Sequence, residues 1–179
     1  MDDETRQHPW LLLRPMTVSD EKQAKQAHQE LAADDFEFFF LRQGEQWVAY
    51  LERVERERLG VDLREGWVPA TFLVADVEGQ VVGRVSIRHD LTAHLARVGG
   101  HIGYGVRPAF RRRGYATDIL RQSLAVAASI GLDRVLVTCD SDNLGSARVI
   151  ETCGGLLENV LPGSDGSVGT RRYWVKTAA

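Results

Sequence analysis

The sequence predicts an α/β (α+β) fold, in which a mixed, mostly antiparallel central sheet of six to seven strands is flanked by about four helices. Three observations support this prediction. A short apolar run precedes two segments with helical spacing, two β-rich runs follow around a tight turn, and the rest of the chain alternates strands with helices. Because no repeat, low-complexity tract or linker interrupts this pattern, we expect residues 1–179 to form one domain.

The first predicted elements are a strand and two helices. The strand covers residues 10–15, and Ser19 or Asp20 is placed to cap a polar helix that reaches about Ala33. A second helix is predicted over residues 45–59, because apolar residues recur there at helical spacing. Its predicted buried positions are Trp47, Leu51 and Val54. Between the two helices, four aromatic residues are predicted to fill the core, namely Phe36, Phe38, Phe39 and Phe40.

A β-hairpin is predicted next. Two β-rich runs, over residues 71–77 and 81–89, are joined by Glu78-Gly79-Gln80, where glycine can take a positive φ. In the second run, the residues predicted to share one face are Val81, Val85 and Ile87. Those predicted on the other face are Arg84, Ser86 and Arg88. This polar face is either solvated or lines a groove.

The second half of the chain is predicted to alternate strands and helices. The predicted strands cover residues 100–106, 134–138 and 173–176. The predicted helices cover residues 113–130 and 143–153, with Gly131 and Gly154-Gly155 at their ends. A glycine-rich hairpin loop over residues 163–169 is predicted to join the last two strands.

Composition and charge exclude several classes of function. With 44% hydrophobic and 26% charged residues, the chain has the composition of a folded globular protein. Its formal net charge of -3 provides no positive field for a nucleic-acid backbone or an anionic membrane, so we expect neither partner. Residues 1–8 lack a secretory-signal pattern, and no apolar stretch is long enough to cross a bilayer. The two cysteines, Cys139 and Cys153, fit buried thiols of a cytoplasmic protein.

The most informative segment is a strand that leads through an arginine-rich loop directly into a long helix. The loop reads Arg111-Arg112-Arg113-Gly114-Tyr115-Ala116. Unpaired backbone N–H groups at a helix start favour a pyrophosphate, glycine lets the backbone approach it closely, and arginines add charge-assisted donors. No Gly-x-Gly-x-x-Gly follows the first strand and no Gly-Lys-Ser/Thr closes a loop, so a dinucleotide or nucleoside-triphosphate site is disfavoured.

This loop fits the Gln/Arg-x-x-Gly-x-Gly/Ala pattern of the GNAT N-acetyltransferases, which the chain resembles. Val106-Arg107-Pro108 precedes the loop, and Asn143-x-x-Ser146 is similar to the second conserved block of that family. The resemblance covers most of the chain from about Thr71 onward. It implies a GNAT-like fold, acetyl-CoA as co-substrate without a metal, and an amine as acceptor.

The resemblance also implies roles for individual residues. The pyrophosphate would lie on the loop and on Thr117 at the helix start, with an arginine near the 3′-phosphate. The pantetheine arm would pair with the free edge of the strand at Tyr104, Gly105 and Val106, and glycine within a strand fits such close approach. Asn143 would bond the pantetheine or order the loop, assisted by Ser146. From its residue type alone, Asn143 fits a helix cap equally well.

Acetyl transfer requires a neutral amine, a donor for the oxyanion and an acid for the thiolate. A backbone N–H near Val106 is the expected oxyanion donor. His101 is the candidate general base, because the unperturbed pKa of histidine is about 6.5, although a histidine bonded to backbone is an equal alternative. Tyr104 and Tyr173 are candidate acids. Many family members carry a tyrosine that serves as general acid where this chain has Ile150. This chain must therefore use another acid, let water protonate the thiolate, or have lost catalysis.

The acceptor is not determined by these motifs. Arg88 and His89, together with Arg84, would form a basic rim for an acidic group of the substrate, although exposed charges are commoner on strand faces. A non-catalytic CoA-binding module is the alternative to an enzyme, and a nucleotide-binding domain of another class is a third hypothesis. The histidines show no metal-site spacing. Both a monomer and a homodimer remain compatible with the sequence.

Overall fold

The structure, a computed structural model, describes residues 10–177, so the expectation for residues 1–8 lies outside the described residues. A seven-stranded sheet has the order β1-β2-β3-β4-β5-β7-β6. Its strands are β1 (Leu11–Arg14), β2 (Ala70–Val77), β3 (Gln80–Arg88), β4 (Ile102–Val106), β5 (Arg134–Asp140), β6 (Leu156–Leu161) and β7 (Thr170–Lys176). All neighbours are antiparallel except β4 and β5, so the predicted mixed, mostly antiparallel sheet is confirmed.

Five α-helices lie in the described chain, one more than expected. They are α1 (Glu21–Leu31), α2 (Trp47–Arg58), α3 (Ala93–Arg97), α4 (Tyr115–Ser129) and α5 (Leu144–Thr152). The unexpected helix is α3, which is only five residues long and too short for a periodic apolar pattern. Its local signal is Thr92, whose side-chain oxygen accepts a hydrogen bond from Leu95 N at 3.2 Å.

Asp20 stands at the N-cap position of α1, one of the two predicted cap residues, but its side chain makes no capping hydrogen bond to that helix. A short 3₁₀ turn, Val18–Asp20, precedes α1, and the Asp20 carboxylate turns back to accept from Thr17 N at 2.7 Å. Arg14 donates to the same carboxylate, at 2.7 and 2.8 Å, and this hydrogen bonding lowers the pKa of Asp20 to about 2. Asp20 therefore joins β1 to the helix start rather than capping α1 itself.

The sheet separates two apolar cores. One lies between the sheet and helices α4 and α5, and the other lies between the sheet and helices α1 and α2. Phe38 and Phe39 belong to the second core as predicted, whereas Phe36 and Phe40 are only partly buried. Each core covers one face of the sheet, so a ligand bound at a gap between strands could be reached from either face.

One face assignment in β3 was wrong. The register between β2 and β3 shifts between Ala75 and Asp76, which inserts an extra residue into β3. Val82 consequently packs with Val85 in the core of α4 and α5, and Val81 packs in the core of α1 and α2. A bulge reverses the alternation of side chains, and the local sequence pattern does not show where it lies.

Candidate active site

A cleft of about 670 Å³ opens where β4, the start of α4 and the start of α5 meet. From the predicted set, the residues that line it are Tyr104, Gly105, Val106, Arg111, Arg112, Gly114, Tyr115, Ala116, Thr117, Asn143 and Ser146. Leu31, Asp34 and Phe36 line it from the side of α1. Since residues of both sheet faces contribute, the cleft passes beside β4 from one face to the other.

The cleft exists because β4 and β5 separate. They share one register pair, Ile102 with Val137, whereas β4 pairs with β3 along its whole length. Arg88 N donates to His101 O and Arg107 N donates to Val82 O. Backbone groups of an antiparallel pair point to the partner strand at alternate residues, so the N–H groups of Tyr104 and Val106 point away from β3, into the gap. Two backbone donors therefore face the cleft.

The start of α4 offers a second group of donors. Within the described chain, no protein acceptor bonds the backbone N–H groups of residues 112–116, whereas Thr117 N and Asp118 N both donate to Gly114 O. Gly114 has a φ of +84°, which favours glycine, and a Cβ there would meet nothing within 4 Å. The amides stand at the positive end of a 15-residue helix. Together they form a cradle for an anion.

The three loop arginines have different surroundings. Arg111 Nε donates to Val106 O at 3.0 Å, and its guanidinium pairs with Asp34. Arg113 donates to Ala109 O and lies over the Phe110 ring, and it does not line the cleft. Arg112 lines the cleft, is exposed, and makes no ion pair with a described residue. Of the three, Arg112 is the best placed for a phosphate of a bound ligand.

At the start of α5, Asn143 is the helix cap. Its Oδ1 accepts from Ser146 N at 3.0 Å, which is the alternative that the sequence left open, and both residues also line the cleft. Ile150, at the position where the resemblance implies a tyrosine, is fully buried in the core against α4. The helix face turned to the cleft carries Gly145, Ser146 and Val149. The side chain of residue 150 therefore does not reach the ligand cleft.

Tyr104 is the candidate acid that the structure places in the cleft. Its side chain packs on the side of α4 and α5, its hydroxyl is buried without a hydrogen bond to a described residue, and Ser146 is a polar neighbour. Burial raises the pKa of Tyr104 because the phenolate loses hydration. The hydroxyl stays protonated at neutral pH and can donate to a group in the cleft.

Tyr173, the other candidate acid, lies elsewhere. It is fully buried, and its hydroxyl donates to Glu151 Oε1 at 3.0 Å. Burial raises the pKa of Tyr173, and it does not line the cleft. Its proton is held by a neighbouring carboxylate, away from the backbone donors of Tyr104 and Val106.

His101 holds β4 to β5. Its ring Nδ1 accepts from Leu136 N at 2.9 Å, and its backbone N–H donates to Leu136 O at 2.7 Å. A neutral ring with Nδ1 as acceptor carries its proton on Nε2, so neither nitrogen is free to accept another. Burial lowers the pKa of His101. The residue is 6% exposed and does not line the cleft, so this geometry matches the backbone-bonded alternative better than a general base.

His101 should therefore affect stability more than chemistry. We expect His101→Ala to lower the free energy of unfolding by about 1–3 kcal/mol, because Leu136 N–H loses its buried partner. His101→Asn keeps an acceptor near that N–H and should lose less. Urea denaturation measures both. A His101→Asn protein at the wild-type acetylation rate from pH 6 to 9 removes His101 from the proton transfers, whereas a lost rate with intact stability would restore it as the base.

The same histidine predicts a pH dependence of stability. Because its folded pKa lies below the unfolded value of about 6.5, the unfolded chain binds more protons as the pH falls through that value. The free energy of unfolding should therefore fall on acidification from pH 7.5 to 5.5. His89, whose pKa burial also lowers, contributes with the same sign, so the difference between wild type and His101→Asn isolates the part due to His101.

The predicted basic rim is only partly formed. Arg84 is buried instead of exposed, with its guanidinium 4.1 Å from the Phe36 ring centre. Arg88 is partly buried and donates to Gly99 O and Gly100 O. His89 turns to Thr71 instead, with 2.8 Å between its Nε2 and Thr71 Oγ1. Of the three basic residues predicted to form the rim, Arg84 and Arg88 lie near each other, and His89 points elsewhere.

The sequence did not identify Phe36 as a site residue. A Cβ at Gly105 would lie 2.6 Å from the Phe36 ring, so the glycine accommodates a side chain from the loop after α1. Glycine in a strand indicated a close approach, but the pattern did not show what approaches. Asp34, Asp140 and Asp142 also line the cleft without a sequence signal.

Two features of the described residues bear on other functions. No helix between residues 10 and 177 is long and apolar enough to span a membrane. Over the same residues, no group of three or more His, Cys, Asp and Glu side chains could hold a metal ion.

Comparison with known proteins identifies relatives of this architecture. Residues 11–155 match the model of the acetyltransferase (GNAT) domain, and a search of curated proteins finds no match. The structure is similar to YncA from Salmonella typhimurium, solved with its cofactor acetyl-CoA, at 16% identity and a TM-score of 0.62 over 94% of each chain. It is also similar to the microcin C7 self-immunity acetyltransferase MccE in complex with acetyl-CoA and AMP, at 18% identity and a TM-score of 0.65 over 93% of this chain and 92% of that one. A third similar structure is RimL, a ribosomal L7/L12 α-N-protein acetyltransferase in complex with coenzyme A, at 18% identity and a TM-score of 0.64 over 93% of each chain.

Proposed function

Since the chain belongs to the GNAT acetyltransferase family and is an acetyl-CoA-dependent N-acetyltransferase, we propose that the cleft beside β4 binds acetyl-CoA and that its acetyl group passes directly to an amine. The observation that carries this proposal is the continuity of the cleft. It joins the amide cradle of residues 112–116 to the gap between β4 and β5 and to Asn143. We also propose that residues 1–179 form one such domain, because the family match covers residues 11–155 and the strands that follow it, β6 and β7, belong to the same sheet.

The coenzyme would be held by backbone and charge. The amides of residues 112–116 would bind the pyrophosphate at the positive end of α4, where a helix start favours an anion. Arg112 would lie near the remaining phosphate. The pantetheine arm would follow the open edge of β4, whose N–H groups at Tyr104 and Val106 face the gap. Asn143, as the cap of α5, would keep Ser146 against the arm.

The chemistry needs few side chains. The neutral amine nitrogen forms a bond to the acetyl carbon, and the N–H of Val106 stabilises the oxyanion. The carbon–sulfur bond then breaks, and Tyr104 O–H protonates the departing thiolate. The nitrogen releases its extra proton to water, which returns a proton to Tyr104. Tyr104 thereby takes the role that Ile150 cannot perform, and Tyr173 and His101 support the structure around it.

An acceptor screen tests the proposal. The full chain is incubated with acetyl-CoA and a panel of amino acids, polyamines, aminoglycosides and N-terminal peptides, and free thiol is measured. We expect at least one amine to release CoA well above hydrolysis, with the acetylated amine found by mass spectrometry. Tight binding of acetyl-CoA without turnover of any amine would favour a non-catalytic CoA-binding module. Stabilisation by ATP or NAD, with none by acetyl-CoA, would reject the proposed site altogether.

A further inference from the structure

Two arginines without a carboxylate partner, the buried Arg84 and the partly buried Arg88, lie on the face of the sheet opposite the core of α4 and α5. Arg84 is 5% exposed, its Nε is buried without a hydrogen-bond partner, and Phe36 and Phe72 cover its guanidinium. Arg88 donates through Nη1 only, to Gly99 O and Gly100 O. Among the side chains that the structure describes, no carboxylate lies within 4.0 Å of either guanidinium. Buried charges are normally paired, because removal from water is costly.

Other buried arginines of this chain follow that rule. Arg53 pairs with Glu45 and Glu57 at 2.7 Å each, and Arg107 pairs with Glu30 at 2.8 Å. Among the buried arginines that the structure describes, Arg84 is therefore the one without a carboxylate partner, and the partly buried Arg88 beside it also lacks one. Burial lowers the pKa of both residues because the charged guanidinium loses hydration. The hydrogen-bond partners of Arg84 in the described chain are neutral carbonyl oxygens, Glu37 O and Gly103 O.

Both guanidinium groups lie beside Gly103 in β4. Arg84 Nη1 lies 3.4 Å from Gly103 O, and the Arg88 guanidinium nitrogens lie 3.6 and 3.7 Å from the position of a Cβ on Gly103. Gly103 directly follows Ile102, the last residue that pairs β4 with β5. The two guanidinium groups therefore lie on either side of the point at which β4 and β5 separate. They are on the sheet face opposite α4 and α5, and an acceptor bound on that face could reach, through the gap, a thioester held on the α4 side.

We propose that the acceptor is a small amine with a carboxylate close to its nitrogen, and that Arg84 and Arg88 on either side of Gly103 hold this carboxylate. The inference rests on the proposed acetyl transfer and specifies its acceptor. The free Nε and Nη2 of Arg88 supply donors for two carboxylate oxygens, and the charge of Arg84 adds to their attraction. Ser86, which pairs with Gly103, lines a second cavity of about 50 Å³ with room only for a small substituent.

The experiment compares matched acceptors. Amino acids are tested against their neutral α-amides with acetyl-CoA, the full chain and free-thiol detection. We expect kcat/KM to be about 10- to 100-fold higher for the acids, which corresponds to hydrogen bonds with charged groups. Arg88→Gln should lose most of this preference, because its kcat/KM falls more for the acids than for the amides, while its affinity for acetyl-CoA stays near wild type. Arg84→Met should also lower the preference for acids over amides.

Controls and contrary outcomes separate this inference from the proposed function. Arg56→Gln, on the exposed surface of α2, should keep the preference. Faster turnover of amides, polyamines or aminoglycosides than of amino acids overturns the carboxylate anchor but leaves acetyl transfer intact, and so does a preference that survives Arg88→Gln. If no amine is turned over, calorimetry with CoA present measures the affinities for an amino acid and for its α-amide. Equal affinities would reject the carboxylate anchor. Should Arg84→Met fail to fold, Arg88→Gln alone carries the test.

Discussion

Replacing Gly114 with valine is expected to reduce the affinity for acetyl-CoA by about 100-fold or more. The residue has a φ of +84°, where a β-branched side chain is strained, by about 1–2 kcal/mol for a left-handed conformation. The backbone would relieve this strain by turning, which moves the amides of residues 112–116 out of their common direction. Each lost hydrogen bond to a charged phosphate costs about 1.5–3 kcal/mol more. Isothermal titration calorimetry with acetyl-CoA measures the loss.

Gly131 provides a matched control for this substitution. It has a φ of +89° and open space where a Cβ would lie, as Gly114 does, but it follows the other end of α4. Gly131→Val should therefore suffer a similar backbone strain, visible in the unfolding free energy, and bind acetyl-CoA like wild type. If Gly114→Val binds acetyl-CoA with unchanged affinity, the coenzyme does not lie on this loop. Equal losses of affinity in both variants would show a general effect of strain.

The amide cradle of residues 112–116 could be predicted because its information is local. A strand, a glycine with a positive φ and a helix start follow one another within a few residues, and the resulting amides need no distant partner. The same holds for Asn143, whose capping bond reaches only to Ser146. Much of the secondary structure could be predicted for the same reason, since the apolar spacing of α2 and α4 and the turn at Gly79 are each determined by a short segment of sequence.

Other parts of the site depend on contacts between distant residues, which periodicity does not contain. The bulge in β3 moves Val81 to the other core, and the Phe36 ring occupies the space beside Gly105. The ring nitrogens of His101 are assigned by Leu136, 35 residues away in sequence. Arg84 looked like an exposed residue of a polar strand face, and its burial follows only from the aromatic loop that covers it. Roles that depend on tautomer or burial therefore required the structure.

Tyr104→Phe is expected to lower kcat by about 100-fold, the lower range for removal of a positioned general acid. The hydroxyl is the only group removed, so affinity for acetyl-CoA should stay within about twofold. Steady-state rates with the best acceptor, and calorimetry with acetyl-CoA, separate the two effects. Because burial raises the pKa of Tyr104 above the usual value of about 10, the wild-type kcat should not fall with rising pH below that value.

Tyr173→Phe is the matched control, because it removes a hydroxyl that is also buried but bonds Glu151 outside the cleft. Its effect should appear in stability, with kcat near wild type. Equal losses of kcat in the two variants would indicate a loosened core rather than a lost acid. An unchanged kcat for Tyr104→Phe would instead mean that water protonates the thiolate. In that case we expect water to enter through the gap between β4 and β5, because Ile150 is buried in the core and supplies no acid.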